Sequence, residues 1–421
     1  AKAFNDRGDL LCALGRYAEA ADDYDMLLRI APDYPLAHGS LFDARAQCCD
    51  WRYFEGDVDT ILNGILAGRL CTLPFVFLVV SDSISAQLAC AKNYATVCYP
   101  PALTMLRTSK GSPRGKIRLA YLSGDFRQHA VAYLMVGVFE RHDRARFEIT
   151  AVSFQPAETS VFGQRVKRAF DQFVDVSGMN DSQVSELLQD LEIDIAIDLM
   201  GFTGVNRTAI LAGHPVPVQV SYLGFPGTMG APYIDYLLAD HYVIPDETRT
   251  SYAEQVVYLP DCFQANDELR EISELAVTRS AAGLPEHGFV FCSFNNSYKI
   301  TPQMFDVWMR LLVNVEGSVL WLLWDREEVA TNLRLEAAAR GVAQDRLVFA
   351  PRVPSHSEHL ARYRLADLFL DTLPYNAATT ASDALWAGLP MLTCSGDSYA
   401  ARMAGSLLHA VGLPELVTTT L

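Results

Sequence analysis

Much that would assign a function directly is missing from this sequence. No C-x-x-C pair occurs. The nine cysteines, an odd number scattered from Cys12 to Cys394, keep no regular spacing apart from the adjacent Cys48 and Cys49. This argues against a structural zinc site or a disulfide framework and fits free thiols in a reducing cytoplasm. No G-x-G-x-x-G follows a strand-like run, which weighs against a dinucleotide redox cofactor, and no G-x-x-x-x-G-K-[ST] marks a P-loop. Basic residues are in the minority, 34 against 50 acidic, for a net charge of -16. That balance speaks against nucleic acid or an anionic membrane as the main partner, while leaving room for a small anion in a locally positive pocket. The longest apolar run, 73–80, falls far short of the ~20 residues a spanning helix needs. No signal peptide shows at the start, although the chain begins inside a repeat and a leader could precede it.

What is present is a soluble globular composition: 421 residues, half apolar and a fifth charged, enough for two or three domains. Residues 3–34 fit one tetratricopeptide repeat, with Phe4, Gly8, Ala20, Tyr24 and Pro32 at its aromatic, small, small, aromatic and stop positions. No second complete repeat follows. Since such units need neighbours to bury their faces, the repeat reads as the tail of a longer array or as one docked on another domain. Residues 51–110 have a helical pattern and no chemical motif. The Asp57-Val58-Asp59 run has the form of a metal-binding pair, but it lacks a strand-loop context and reads as a solvated helix face.

From Lys116 onward, apolar strand-like runs alternate with helical ones. The runs at 117–122, 147–154, 173–176, 193–199 and 218–223 imply a parallel sheet covered on both faces. After a polar stretch at 261–274, a second alternation takes in 289–294, 319–323, 347–349, 368–370 and 391–394. Two doubly wound sheets in series place a ligand crevice at the carboxyl ends of the strands. The organising stretch is 368–389, in which a strand passes through small residues into a helix opened by Thr379 and Thr380. Such a start leaves N–H donors and the positive end of the helix dipole facing open space, a site for phosphate. Ordinary N-capping by either threonine is the plain alternative.

Candidate chemistry clusters at the same rims. Lys299 lies in the loop after 289–294 and can neutralise a departing diphosphate, or be a solvated surface lysine. His356, His359 and Arg362 follow 347–349 and can hold a base or ribose. H-x-x-H can also hold a metal, though no third ligand is evident and the histidines can equally be surface residues. Asp383 can reach a ribose hydroxyl or support the helix start. In the first sheet, His129 can take a proton or bind a hydroxyl, with a structural histidine as the alternative. Asp198 is placed nearer the rim than Asp194. The turn at 224–230, with Pro226 and Gly227, permits close backbone approach to a ligand or a sharp reversal.

Four blocks in order carry a family resemblance: YLSGDFRQHAVAYLM from Tyr121, GFPGTMGAPYIDY from Gly224, NNSYKITPQMFDVW from Asn295, and LARYRLADLFLDTLPYNAATTASDALWAGLPMLTCSG from Leu360. Together with the repeat tail, they resemble the bacterial relatives of the nucleocytoplasmic O-GlcNAc transferase, the group that includes SPINDLY. The likeness covers most of 114–416. It implies an α/β GT-B fold of two Rossmann-like domains preceded by an α-helical repeat tail: 1–50 repeat, 51–113 helical linker, 114–272 N-terminal catalytic domain and 273–421 nucleotide-sugar-binding domain. It also implies an inverting, metal-independent transfer of GlcNAc from UDP-GlcNAc to Ser or Thr of a protein, with no cofactor beyond the sugar nucleotide. On that likeness, Lys299 meets the diphosphate and Thr379 and Thr380 cap it. Asn296, His359 and Asp383 match uridine or ribose contacts, Tyr298 goes with the uridine-donor branch, and His129 is the active-site histidine.

Two departures stand out. The O-GlcNAc members commonly read N-x-H-T-T, where this chain has Asn376-Ala377-Ala378-Thr379-Thr380; SPINDLY-type enzymes, which use GDP-fucose, lack that imidazole too. The chain also stops before the closing helices the fold leads one to expect. A same-fold epimerase and a catalytically idle peptide-binding adaptor are the rival readings.

Overall fold

The computed structural model describes residues 1–101, 115–275, 277–324 and 326–421, so the far end of the expected 51–113 linker lies outside the described residues. Six helices come first: α1 (Lys2–Ala13), α2 (Tyr17–Ile30), α3 (Ala37–Gln47), α4 (Phe54–Leu66), α5 (Pro74–Val80) and α6 (Ile84–Cys98). Helices α1 and α2 close on each other because residue 8 has no side chain. A Cβ on Gly8 would sit 2.7 Å from the Tyr24 ring. Tyr24 is buried with Leu11, Ala20, Leu27 and Leu41, and its hydroxyl donates to Asp9 at 2.7 Å. This pair is consistent with the repeat read from the sequence. Asp57 is held by Arg45 at 2.7 Å on α4, as a helix-face carboxylate, and among the described residues no metal-ligand cluster forms around it. The apolar run at 73–80 becomes α5, whose Phe77, Leu78, Val79 and Val80 are buried, and among the described residues no helix is long and apolar enough to cross a membrane.

The chain forms two compact units, Gln87–Arg270 on one hand and Ala1–Ala86 with Glu271–Leu421 on the other. The first of these holds β1 (Ile117–Ser123), α7 (Ala130–Arg141), β2 (Phe147–Ser153), α8 (Val161–Arg168), β3 (Gln172–Asp175), α9 (Asp181–Asp190), β4 (Ile195–Asp198), β5 (Val218–Ser221), β6 (Tyr236–Ala239) and β7 (Gln255–Tyr258). All seven strands are parallel, in the order β3-β2-β1-β4-β5-β6-β7. Their near-continuous apolar sequences follow from burial on both faces, with Leu119, Tyr121, Ile149, Ala151 and Ile197 meeting Val136 and Phe139 of α7.

The other unit carries β8 (Val290–Ser293), α10 (Pro302–Asn314), β9 (Val319–Leu323), α11 (Glu327–Ala339), β10 (Leu347–Ala350), α12 (His356–Arg362), β11 (Leu368–Leu370), α13 (Thr379–Trp386), β12 (Met391–Cys394), α14 (Met403–Ala410) and β13 (Val417–Thr418). Its six strands are also parallel, in the order β10-β9-β8-β11-β12-β13. Both sheets therefore run outward from a first strand with a crossover on either side, and each gathers its strand carboxyl ends on one rim.

The helical tail docks on the second sheet, from which it is separated in sequence by the whole of the first. Trp51 packs on Phe305 of α10 with ring centroids 5.3 Å apart. Asn332 of α11 donates to the Cys48 carbonyl at 2.9 Å, and Ser297 donates to the Gln47 carbonyl at 3.1 Å. The loop that carries Lys299 is thus braced from behind by α3.

Candidate functional site

The loop after β8 makes a short 3-10 turn over Ser297–Lys299 before Thr301 caps α10, its hydroxyl accepting from Met304 N at 3.3 Å. That turn folds the Lys299 side chain inward. Lys299 is 8% exposed, and its ammonium donates to the Asn376 carbonyl at 2.9 Å and lies 3.5 Å from the centre of the Tyr375 ring. The lysine is therefore fixed three residues before Thr379, against the loop that feeds α13. A solvated surface lysine is excluded by this geometry.

The loop itself is held by Asp371, the residue just past β11. One carboxylate oxygen accepts from the backbone N–H groups of Thr372 and Ala377, both at 2.7 Å, and from Asn295 Nδ2 at 3.3 Å; the other accepts from Thr393 Oγ1 at 2.7 Å. Asn376, fully buried, donates through Nδ2 to the Thr372 carbonyl at 2.7 Å. Burial pushes the Lys299 ammonium down to about 7 and the Asp371 carboxyl up to about 6, and the charge of each opposes the shift of the other.

Helix α13 begins without a side-chain cap. Its N-cap is Ala378, and neither Thr379 nor Thr380 caps it, although both are partly exposed in the first turn. The ordinary capping role is thus not the one these threonines fill. The N–H groups of that turn are available to an anion, with a buried cation beside the approach loop.

Asp383, one turn into α13, is buried, and its carboxylate is 3.9 Å from His359 Nε2. The other ring nitrogen of His359 meets the Arg362 guanidinium at 2.5 Å. Arg362 also donates to the Pro351 carbonyl at 2.6 Å and stacks on Phe294, its guanidinium 4.6 Å from the ring centre. It is buried, so it serves as a strut behind His359. The His356 and His359 rings stack with centroids 6.2 Å apart. A guanidinium on one nitrogen of His359 disfavours a metal there, and among the described residues no group of three His, Cys, Asp or Glu could hold one. Asn296 is exposed at the mouth of the loop. Tyr298 turns the other way, its ring 6.2 Å from Phe75 of α5 and 6.4 Å from Tyr375, so its visible role is to brace the loop on the helical tail.

In the first unit, His129 is itself the N-cap of α7: Nδ1 accepts from Val131 N at 3.3 Å and lies 3.4 Å from an Asp125 oxygen. Burial lowers its basicity, while Asp125 opposes that shift. Pro226 and Gly227 are buried in a turn kept in place by Glu254, which accepts from Thr228 Oγ1 at 2.7 Å and Met229 N at 2.6 Å. Close backbone approaches in that turn fall at Gly224, where a Cβ would sit 2.0 Å from the Leu199 carbonyl oxygen, and at Gly230, where one would sit 2.6 Å from Lys92 N. Asp198 accepts from Met200 N at 2.8 Å, and Asp194 from Arg118 N at 2.8 Å; both stabilise the strand ends.

Asp371, Asn376, Tyr375 and Asn295 were not singled out by the sequence reading. Asp371 had a legible signal, an acid at the carboxyl end of an apolar strand in the organising stretch. The others become visible only once the loop folds back on Lys299.

Comparison with known proteins follows the same line. The profile of Glycosyl transferase family 41 matches residues 83–277 and 264–421. The chain is 39% identical over 303 residues to the probable UDP-N-acetylglucosamine--peptide N-acetylglucosaminyltransferase SEC of Arabidopsis thaliana, covering 71% of this chain and 31% of that protein. It is 32% identical to the Arabidopsis thaliana protein named as the probable SPINDLY enzyme, covering 72% of this chain and 34% of that one. The chain thus spans about a third of the length of these relatives. A solved structure of a Thermobaculum terrenum O-GlcNAc transferase mutant superposes with a TM-score of 0.82 at 27% identity, covering 99% of this chain and 80% of that one.

Proposed function

The chain belongs to glycosyltransferase family 41, and from that membership we propose that it is an inverting protein O-glycosyltransferase that moves GlcNAc from UDP-GlcNAc to Ser or Thr of an acceptor protein. In that reaction the acceptor oxygen forms a bond to the anomeric carbon as the bond from that carbon to the β-phosphate oxygen breaks. The hydroxyl proton passes to a base, and UDP leaves carrying the electron pair. The observation that carries the proposal is the buried Lys299 ammonium fixed beside the uncapped start of α13. A cation desolvated in advance and a set of backbone donors meet the charge that appears on the leaving diphosphate. The first turn of α13 binds the phosphates, His359 and Asp383 take the ribose, and Asn296 lies at the loop mouth for the base. His129 is assigned to the acceptor side, by its match to the family histidine. No cofactor beyond the donor is invoked.

A second donor reading is kept open by one observation. The loop position occupied by histidine in the O-GlcNAc members is Ala378 here, and the GDP-fucose branch lacks that histidine too. Thermal shift with UDP, UDP-GlcNAc, GDP and GDP-fucose separates the two: stabilisation by the uridine pair supports the proposal, and stabilisation by the guanosine pair alone replaces the donor. If no nucleotide raises the melting temperature and no sugar nucleotide is turned over, the chain is a peptide-binding adaptor instead.

A further inference from the structure

We infer that Asp371 is a positioning residue for the diphosphate site: it shapes the loop 371–377 and supplies the counter-charge that keeps Lys299 ready as a cation. The inference rests on the donor-site reading above and deepens it.

The geometry is that of a hub. Asp371 leaves the end of β11 and ties together three neighbouring strands. It accepts Asn295 Nδ2 from the segment after β8, Thr393 Oγ1 from β12, and two N–H groups from its own loop. The last of these, Ala377 N, is two residues before Thr379. Every turn of the loop toward α13 is therefore measured from one carboxylate. Asn376 then presents its carbonyl to Lys299 at 2.9 Å, and Thr372 Oγ1 closes the loop by donating to the Tyr375 carbonyl at 2.7 Å, which sets the ring that the ammonium faces.

The enclosure is tight. Asp371 is 3% exposed, Thr372 1%, Asn376 0% and Asn295 3%. Two of the polar atoms in this cluster, Asn295 Oδ1 and Asn376 Oδ1, have no hydrogen-bond partner, so the cluster has acceptors in excess and the cation of Lys299 is its only buried positive charge among the described residues. A lysine buried this deeply would lose its proton without a nearby carboxylate. Thus the same residue that sets the backbone also sets the charge state of the group that meets the phosphate.

Two consequences distinguish this from a purely structural role. Loss of the carboxylate should weaken UDP binding most at high pH, because Lys299 then holds its proton less well, whereas a misplaced loop should weaken binding equally at every pH. The test is UDP affinity, measured calorimetrically from pH 6 to pH 9, on the full chain and on Asp371→Asn, with Thr393→Val as a second variant that removes a single hydrogen bond from the carboxylate. In the unaltered protein, affinity falls as pH rises past the Lys299 titration. In Asp371→Asn that fall should begin about one pH unit lower, with roughly tenfold weaker binding at pH 8. Thr393→Val should move it in the same direction by less.

An unshifted profile in Asp371→Asn, even with uniformly weaker binding, overturns the inference. Should Asp371→Asn not fold, an unshifted profile in Thr393→Val overturns it instead. Absence of UDP binding by the unaltered protein sinks the donor reading rather than the role of Asp371, because the guanosine nucleotide can then be substituted as the probe for the same two variants. If neither nucleotide binds, both fall.

Discussion

The two sheets of this molecule use the same positions for opposite purposes. Strand β1 and strand β8 are each the central starting strand of their sheet, flanked by β2 and β4 in one case and β9 and β11 in the other. His129 lies six residues past Ser123, the end of β1, and Lys299 lies six residues past Ser293, the end of β8. One position carries an imidazole whose side chain is 37% exposed and which caps the following helix; the other carries an ammonium folded out of water. The acids at the carboxyl ends of β4 and β11, Asp198 as the last residue of its strand and Asp371 just past its own, diverge in the same way. Asp198 is spent on backbone N–H groups, whereas Asp371 serves backbone and cation together. One topology thus yields a half-open rim in one unit and a desolvated charge in the other, and the difference lies in how far each loop folds back over its own strand ends.

The sharpest way to break this comparison is to remove the buried charge. Lys299→Met should lower sugar transfer about 100- to 1000-fold, the range for losing one preorganised group that stabilises developing negative charge. It should leave the protein folded, since an apolar chain of similar length replaces a desolvated ammonium. Steady-state turnover and a melting curve read both. Retained turnover would show that α13 alone carries the leaving group.

His129→Ala probes the counterpart position and should cost less, about 100-fold in turnover if the imidazole handles the acceptor proton. It should also cost about 1 kcal/mol of stability, because the cap bond from Val131 N is lost. Asn at this position restores a cap without restoring a base, so His129→Asn separates the two effects. Burial holds His129 below its ordinary value in the folded chain, so between that lowered value and 6.5 the unfolded chain binds the extra proton. Stability contributed at this site is therefore lost as pH falls through that window, and the loss should vanish in either variant.

Much of this organisation could be read without coordinates. The expected strands at 117–122, 319–323, 368–370 and 391–394 recur as β1, β9, β11 and β12, because strands buried on both faces have to be continuously apolar. Strand β13 was not anticipated: two residues, Val417 and Thr418, leave no periodicity to read. The docking of the helical tail on α10 and α11 was also hidden, since Trp51 and Phe305 are far apart in sequence and equally plausible as parts of separate cores. Lys299 was legible as a rim residue. Its burial was not, because that depends on the return of Tyr375 and Asn376 across it, a non-local contact that no local pattern encodes.

The titration of Lys299 gives a smaller but more pointed test of the contrast. With the folded value near 7 and the unfolded value near 10.5, the unfolded chain carries more protons in between. Stability should rise with pH across that window and the rise should be absent in Lys299→Met. Asp371, raised to about 6 from 3.8, acts oppositely below it: the folded chain binds the extra proton there, so stability declines as pH climbs through that lower window. Above its folded value near 7 Lys299 gives up its proton progressively in the free protein, so diphosphate binding at pH 8 should take up a fraction of one proton. Calorimetry in two buffers of different ionisation enthalpy measures that uptake directly. His129 has no such lever on donor binding, and His129→Ala should leave the uptake unchanged.

The smallest expected effect concerns the helix start itself. Among the described helices, α7 is capped by His129, α8 by Ser160, α9 by Asn180 and Gln183 together, α10 by Thr301 and α12 by Ser355. Helix α13 has only Ala378 at that place, and in the same unit α11 and α14 likewise start without a side-chain cap. If Thr379 and Thr380 were there to stabilise the helix, replacing either with alanine would cost on the order of 1 kcal/mol, as losing a cap does elsewhere. Because neither caps, Thr379→Ala and Thr380→Ala should change unfolding free energy by less than about 0.5 kcal/mol, the range for substitutions away from such features. UDP affinity should nonetheless fall by roughly 5- to 10-fold with each hydroxyl removed, about the worth of one hydrogen bond. A helix start whose hydroxyls matter to a ligand and not to the fold is one left open for that ligand, and urea titration beside UDP titration on the same two variants decides it.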